Sequence, residues 1–199
     1  MLTATYTLVA LSVEQASVRV GLQSLQKLID NNFAHQNALS PGQVGYACDA
    51  VKRMYESCHW RKLDMFLIPA IRSATRQADE LLQNLDELGR AAADAVGVLA
   101  IRLGSTAVDN GSKVSQFCEA VQTFCSATLK RLELEEQHLF PVARSVISGE
   151  AWFSIANQML AHDAYVQETR PARPVPMFRE QPYEEARKQR TGAHLVHCR

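Results

Sequence analysis

Two Glu-x-x-His pairs stand out as chemistry-bearing spacings, Glu56-x-x-His59 and Glu135-x-x-His138. Three residues apart on a helix, a carboxylate and an imidazole share one face. Two such pairs, with one further carboxylate from each of two other helices, make a ferritin-like di-metal site. Glu14 could serve as one of these carboxylates. The other is missing, because Glu80 and Glu87 fall opposite the apolar positions Ala78, Leu81 and Leu85 of their own segment. Glu56 also lies off the centre of its apolar face. This leaves His59, Glu135 and His138 as candidate metal ligands. Each has a plainer role open to it: His59 as a hydrogen-bonded core histidine beside Tyr55 and Cys58, Glu135 as the ion-pair partner of Arg131 four residues earlier, and His138 at a helix margin.

The remaining reactive side chains offer less. Cys48, Cys58, Cys118 and Cys125 fall on apolar faces, where a free cysteine behaves as a small hydrophobe. His194-x-x-His197-Cys198 lies in a segment without helical periodicity. The chain has no Gly-rich phosphate loop and no nucleophile–base spacing, so the expectation is a non-enzymatic protein.

Positioning these residues requires long helices. Leu8, Leu11, Gln15, Val18, Leu22, Leu25 and Ile29 step by threes and fours, the seam of a bundled helix. Only Gln15 is polar. Ser40-Pro41 opens a second helix, with Ser as N-cap and Pro in the first turn. Its inward face takes Val44, Cys48, Val51, Tyr55, Cys58, His59, Leu63 and Phe66, with Arg53 and Asp64 opposite, and Pro69 should kink or end it.

A third helix is expected from about Thr75 to Leu103, with the seam Ala78, Leu81, Leu85, Leu88, Ala92, Val96, Leu99 and Leu103. A fourth, from about Lys113 to Ile147, has Ser112 as its cap. It carries Val114, Phe117, Cys118, Val121, Cys125, Thr128, Leu132, Glu135, Leu139 and Val142. Ser148 caps a shorter fifth helix to about Val166, with Trp152, Phe153, Ile155, Met159 and Leu160 on its apolar face. Counting along an up-down bundle brings Gln15, His59, Ala78 and Glu135 to about one level.

Composition bounds the rest. A chain of 199 residues, 47% hydrophobic, can bury one sizeable core. Its 21 basic and 21 acidic residues cancel, which argues against nucleic acid or an anionic membrane as partner. No apolar run approaches a membrane span, and the N-terminus lacks the basic start of a signal peptide. Five cysteines without framework spacing suit a reducing, cytoplasmic setting. Residues 1–166 should form the helical domain. Residues 167–199, rich in Pro and Arg and including Pro171, Pro174, Pro176 and Pro182, should form a disordered tail.

The segment Glu135-Glu136-x-x-Leu139-Phe140-Pro141-x-Ala143, with Glu150-x-Trp152-x-x-Ile155 after it, resembles the hemerythrin-like, or HHE cation-binding, family. His59 through Pro69 resembles the family's matching earlier segment, and the likeness spans about residues 5–166. It implies an all-α fold: an up-down four-helix bundle with a short fifth helix and the tail. It also implies a di-iron site of His and carboxylate ligands that carries or senses oxygen, nitric oxide or iron. Carried over position by position, His59 and Glu135 match. Gln15, Leu63, Ala78 and Arg131 stand where the family has ligands, and a guanidinium cannot ligate a metal. The expectation is therefore a degraded di-iron site without cofactor and an interaction or regulatory role toward a protein partner. The alternative is an iron sensor using a reduced site around His59 and Glu135.

Overall fold

A computed structural model describes residues 2–59, 61–103 and 108–169, with the side chains of 59, 101–103 and 169 outside that description. Every regular element among them is helical, apart from one antiparallel bridge between Leu39 and Val108. The order is α1 (Leu2–Asn32), α2 (Pro41–His59), a π-turn (Leu63–Leu67) running into α3 (Ile68–Ala74), α4 (Asp79–Leu103), α5 (Gly111–Leu134), a second π-turn (Glu135–Leu139) running into α6 (Phe140–Val146), and α7 (Gly149–Thr169). The chain divides into two units, one ending at His162 and one beginning at Asp163. Of the second, the described part is the end of α7; the expected tail lies outside the described residues. None of the described helices is long and apolar enough to cross a membrane.

Within the first unit, α1 packs against α2 and α5, and α4 packs against the same two helices. The α1 seam is buried throughout, including Gln15. Helix starts follow local chemistry. Ser40 and Gln43 form a reciprocal capping box: Gln43 N donates to Ser40 Oγ at 3.3 Å and Ser40 N donates to Gln43 Oε1 at 2.9 Å. The Ser148 hydroxyl caps α7 by accepting from Ala151 N at 3.2 Å.

Other boundaries differ from the expected ones. Asn110, not Ser112, caps α5, accepting from Lys113 N at 2.9 Å. The third long helix starts at Asp79, not Thr75, because extended Thr75 ends α3 and its hydroxyl accepts from Gln77 N, closing a turn first. Along α4 the buried positions include Leu82 and Ala95, with Leu81, Leu88 and Val96 only half-buried. On α7, Trp152, Ile155 and Met159 are buried, whereas Phe153 and Leu160 face solvent.

Pro69, expected to kink or end its helix, is absorbed instead, and so is Pro141, through which the fourth helix was expected to run on toward Ile147. A proline lacks an N–H and its ring crowds the carbonyl four residues back. Each is preceded by one wide turn: Ile68 N bonds Leu63 O before Pro69, and Phe140 N bonds Glu135 O before Pro141. This five-residue closure is the π geometry, which appears as single turns inserted in α-helices. Leu63 and Glu135 thus open equivalent turns in the two halves of the chain.

The apolar interior forms two clusters. One gathers Val18 to Phe33 of α1 and the connection after it, Val44 to Val51 of α2, Ala92 to Leu99 of α4 and Val114 to Leu132 of α5. The other gathers Ala4 to Leu11, Leu63 to Ile71, Ala78 to Leu85, Leu139 to Ile147, and the buried face of α7. Between them, in sequence on each of the four long segments, lie Gln15, Arg61, Gly89 and Glu135.

Candidate functional site

The residues between the two clusters form a buried charge network. Glu135 is fully buried at the first position of its π-turn. Arg61, at 2% exposure, donates to both of its oxygens: Nη1 to Oε1 at 3.1 Å and Nη2 to Oε2 at 2.5 Å. Gln15 Nε2 donates to Oε2 at 2.7 Å. Arg131 Nε lies 3.1 Å from Oε1, within ion-pair reach but without the alignment of a hydrogen bond. The Arg131 Nη2 then donates to Asp64 Oδ1. Two guanidiniums and two carboxyl groups therefore balance inside the fold, joined by a fork of the kind that makes arginine–carboxylate pairs strong.

Local backbone explains why Arg61 faces inward. Arg61 belongs to no helix. Its carbonyl accepts from Asp64 N and Met65 N, so a new helical segment starts there. Had α2 continued unbroken, Arg61 would sit about 200° around from Leu63 and face away from the seam. Asp64, expected on the outward side, is half-buried instead and accepts from Arg131. On α4, Gly89 lies against the network: a Cβ there would lie 3.3 Å from Arg131 Nη1. The absence of a side chain makes room for the guanidinium.

Burial and charge compete across the site. Burial works against the Arg61 charge, but Glu135 outweighs it through charge and hydrogen bonding, and the pKa rises. Asp64 is pushed above the usual aspartate value by burial, against the pull of Arg131 and Arg61. Burial pushes the Cys58 thiol up to about 11 even though both arginines favour its thiolate. A cleft of about 370 Å³ opens beside the network, between Tyr55 and Cys58 on one side and Gly89, Phe124 and Thr128 on the other, with Arg61, Asp64 and Arg131 along its wall.

The expected site residues are only partly brought together. Gln15, Arg131 and Glu135 converge. Leu63 is buried in the apolar cluster, beside the network in sequence but with no polar atom to offer. Ala78 leaves the expected level. It packs with Leu82 and Leu85, about 16 Å along α4 from Gly89 by helical rise. His138 is exposed, as are Glu56, Glu80 and Glu87, so the ferritin-like set does not converge. The side chain of His59 and the tail residues His194, His197 and Cys198 lie outside the described part of the chain. Cys118 and Cys125 are buried in the first apolar cluster, Cys48 and Cys58 half-buried. No group of three or more His, Cys, Asp or Glu able to hold a metal occurs among the described residues.

Arg61, Asp64 and Gly89 escaped the sequence reading. One signal was available: a lone glutamate on a buried seam needs more compensation than a single arginine on its own helix supplies. What the network can do is hold a fixed charge pattern in the interior. A divalent ion placed at Glu135 would meet two guanidiniums. Like unit charges about 4 Å apart repel by about 4 kcal/mol at an effective dielectric of about 20. No protein-family model, curated protein or solved structure matches the chain.

Proposed function

We propose that this chain is a hemerythrin-like four-helix bundle in which fixed side-chain charges stand where the family holds iron, and that it acts as a non-enzymatic interaction or regulatory module. One observation carries this reading: both oxygens of Glu135, a ligand position by resemblance, are taken by Arg61 and Gln15, with Arg131 alongside. The mutual packing of α1, α2, α4 and α5 supports the bundle frame, as does the recurrence of a π-turn before Pro69 and Pro141. A guanidinium stays cationic and offers no lone pair to a metal. The competing iron-sensor reading needs Glu135 free to ligate, and its surroundings oppose that.

The test is metal content. Protein from cells grown with added iron should contain only traces of iron, zinc and manganese, show no visible absorption band, and melt at the same temperature with and without chelator. Stoichiometric iron with an oxo-bridge band would overturn the reading. So would one bound metal lost on Glu135→Gln.

A further inference from the structure

The outer face of α1 has a second seam that the fold does not use. Leu2, Tyr6, Val9, Val13, Ala16 and Val20 are all exposed, the larger ones strongly so: Leu2 at 72%, Tyr6 at 69% and Val13 at 66%. Their steps are four, three, four, three and four, the repeat by which one helix packs along another. The buried seam of the same helix uses other residues, so α1 is apolar on two sides. A contiguous apolar strip of this kind marks an interaction surface.

We infer that α1 pairs with α1 of a second copy of this chain, antiparallel, about a two-fold axis passing between Val9 and Val13. The stripe is symmetric about that point. In an antiparallel pair Val9 meets Val13, Tyr6 meets Ala16, and Leu2 meets Val20, each contact made twice. The largest side chain thus falls opposite the smallest. That reciprocity is what a two-fold interface demands, since the same patch must fit itself. The flanking exposed positions, Thr5, Ala10, Ser12 and Ser17, are small and uncharged, so two such helices can approach closely.

Charge selects the same occupant. Between Leu2 and Val20 the charged residues are Glu14 and Arg19. Both are half-buried, and Arg19 is held by Glu136 at 2.8 Å. A charged partner gains nothing from this face, whereas a second copy brings an equally uncharged one. The stripe runs about 27 Å, and its helix is already folded, so pairing bears no nucleation cost. On one side it borders a groove of about 530 Å³ floored by Leu8 and Val9 and walled by Phe140 and Pro141, with Glu136 and Arg144 also along it. The apolar surface available to a second copy is therefore wider than one helix. The inference stands on the outer face of α1 and is independent of how the buried charge network is read.

The experiment is sedimentation velocity on the full chain at micromolar to 100 µM order of concentration, where affinities in the usual range for specific pairs are visible. The wild type should sediment as a dimer of the 22.1 kDa chain. Val9→Lys and Val13→Glu should each be monomeric, with unchanged helical circular dichroism and melting. Mixed one to one, they should form a dimer again, because antiparallel pairing sets Lys at 9 against Glu at 13 and leaves valine against valine at the other contact. A monomeric wild type overturns the proposal. A mixture that stays monomeric, with both variants folded, overturns the antiparallel register, because parallel pairing would set 9 against 9 and rescue nothing.

Discussion

Arg61 clasps Glu135 through both carboxylate oxygens, and the two side chains sit at the boundary between the two apolar clusters. Each is tolerable there only because of the other. Desolvating an ion costs several kcal/mol, and a well-formed pair regains about that much. The pair is therefore a weak source of net stability and a strong source of penalty when broken.

Glu135→Leu and Arg61→Met should each lower unfolding free energy by about 3–5 kcal/mol, since each strands a buried charge. The double replacement Arg61→Met with Glu135→Leu should recover most of that loss, as buried ion pairs exchanged for apolar groups of similar size do. Leucine is the residue that Leu63 already supplies at the equivalent turn. Urea unfolding of the four proteins gives the coupling. Additive losses, with the double variant the least stable, would contradict the pairing.

Gly89→Ala sets helix propensity against space. In an exposed helix the change gains about 1 kcal/mol. Here the new Cβ would press on Arg131 Nη1 at 3.3 Å, and that guanidinium is held by Asp64 and Glu135. The substitution should be neutral or destabilising in the wild type and stabilising by about 1 kcal/mol when Arg131→Ala is also present. Equal effects in both backgrounds would mean that Arg131 moves freely.

Asp64 makes one pH effect predictable in sign. Its folded pKa lies above its ordinary value, so the folded chain holds this proton more tightly than the unfolded one. The contribution is fully present below the ordinary aspartate pKa of about 3.9 and is lost as pH rises through the raised folded value. Comparing wild type with Asp64→Asn by urea unfolding across that acidic window, the wild type should lose stability relative to the variant as pH rises. The opposite slope would mean that Arg131 lowers the aspartate more than burial raises it.

Cysteine reactivity should be low. With Cys58 raised to about 11 and Cys125 to about 12, the thiolate is scarce at pH 8. Alkylation of Cys58 in the native protein should run on the order of a hundredfold slower than for an ordinary thiol of pKa about 8.5. Site-resolved mass spectrometry after iodoacetamide treatment reads this directly. Fast labelling of Cys58 would mean that its neighbouring arginines win over burial.

Periodicity carried the central seam of α1 and of α5, though not Ala120, Phe124 and Ala127 beside it, because an unbroken helix preserves the phase of its seam over many turns. Gln15 and Glu135 were legible for the same reason, and Arg131 from its spacing four residues before Glu135. Where the helix is interrupted, phase is lost. Arg61 was missed because the break there lets it face inward only two residues before the buried Leu63, and Asp64, expected opposite the seam, is half-buried and bonded to Arg131. Ala78 differs along the axis instead: it packs in the second apolar cluster with Leu82 and Leu85, eleven residues before Gly89. Gly89 carries no side chain to read, and its meaning appears only once Arg131 is placed against it.

The polar layer between the two apolar clusters also fixes alignment. Leucines can slide past one another at modest loss, but a slip of α5 by one turn would bring Leu132 or Leu139 against the Arg61 guanidinium and drive the Glu135 carboxylate among leucines. Each such slip leaves two charges buried without partners. The network thus works like a key in a shaft: it adds little to how tightly the helices hold, and it allows them one height relative to one another.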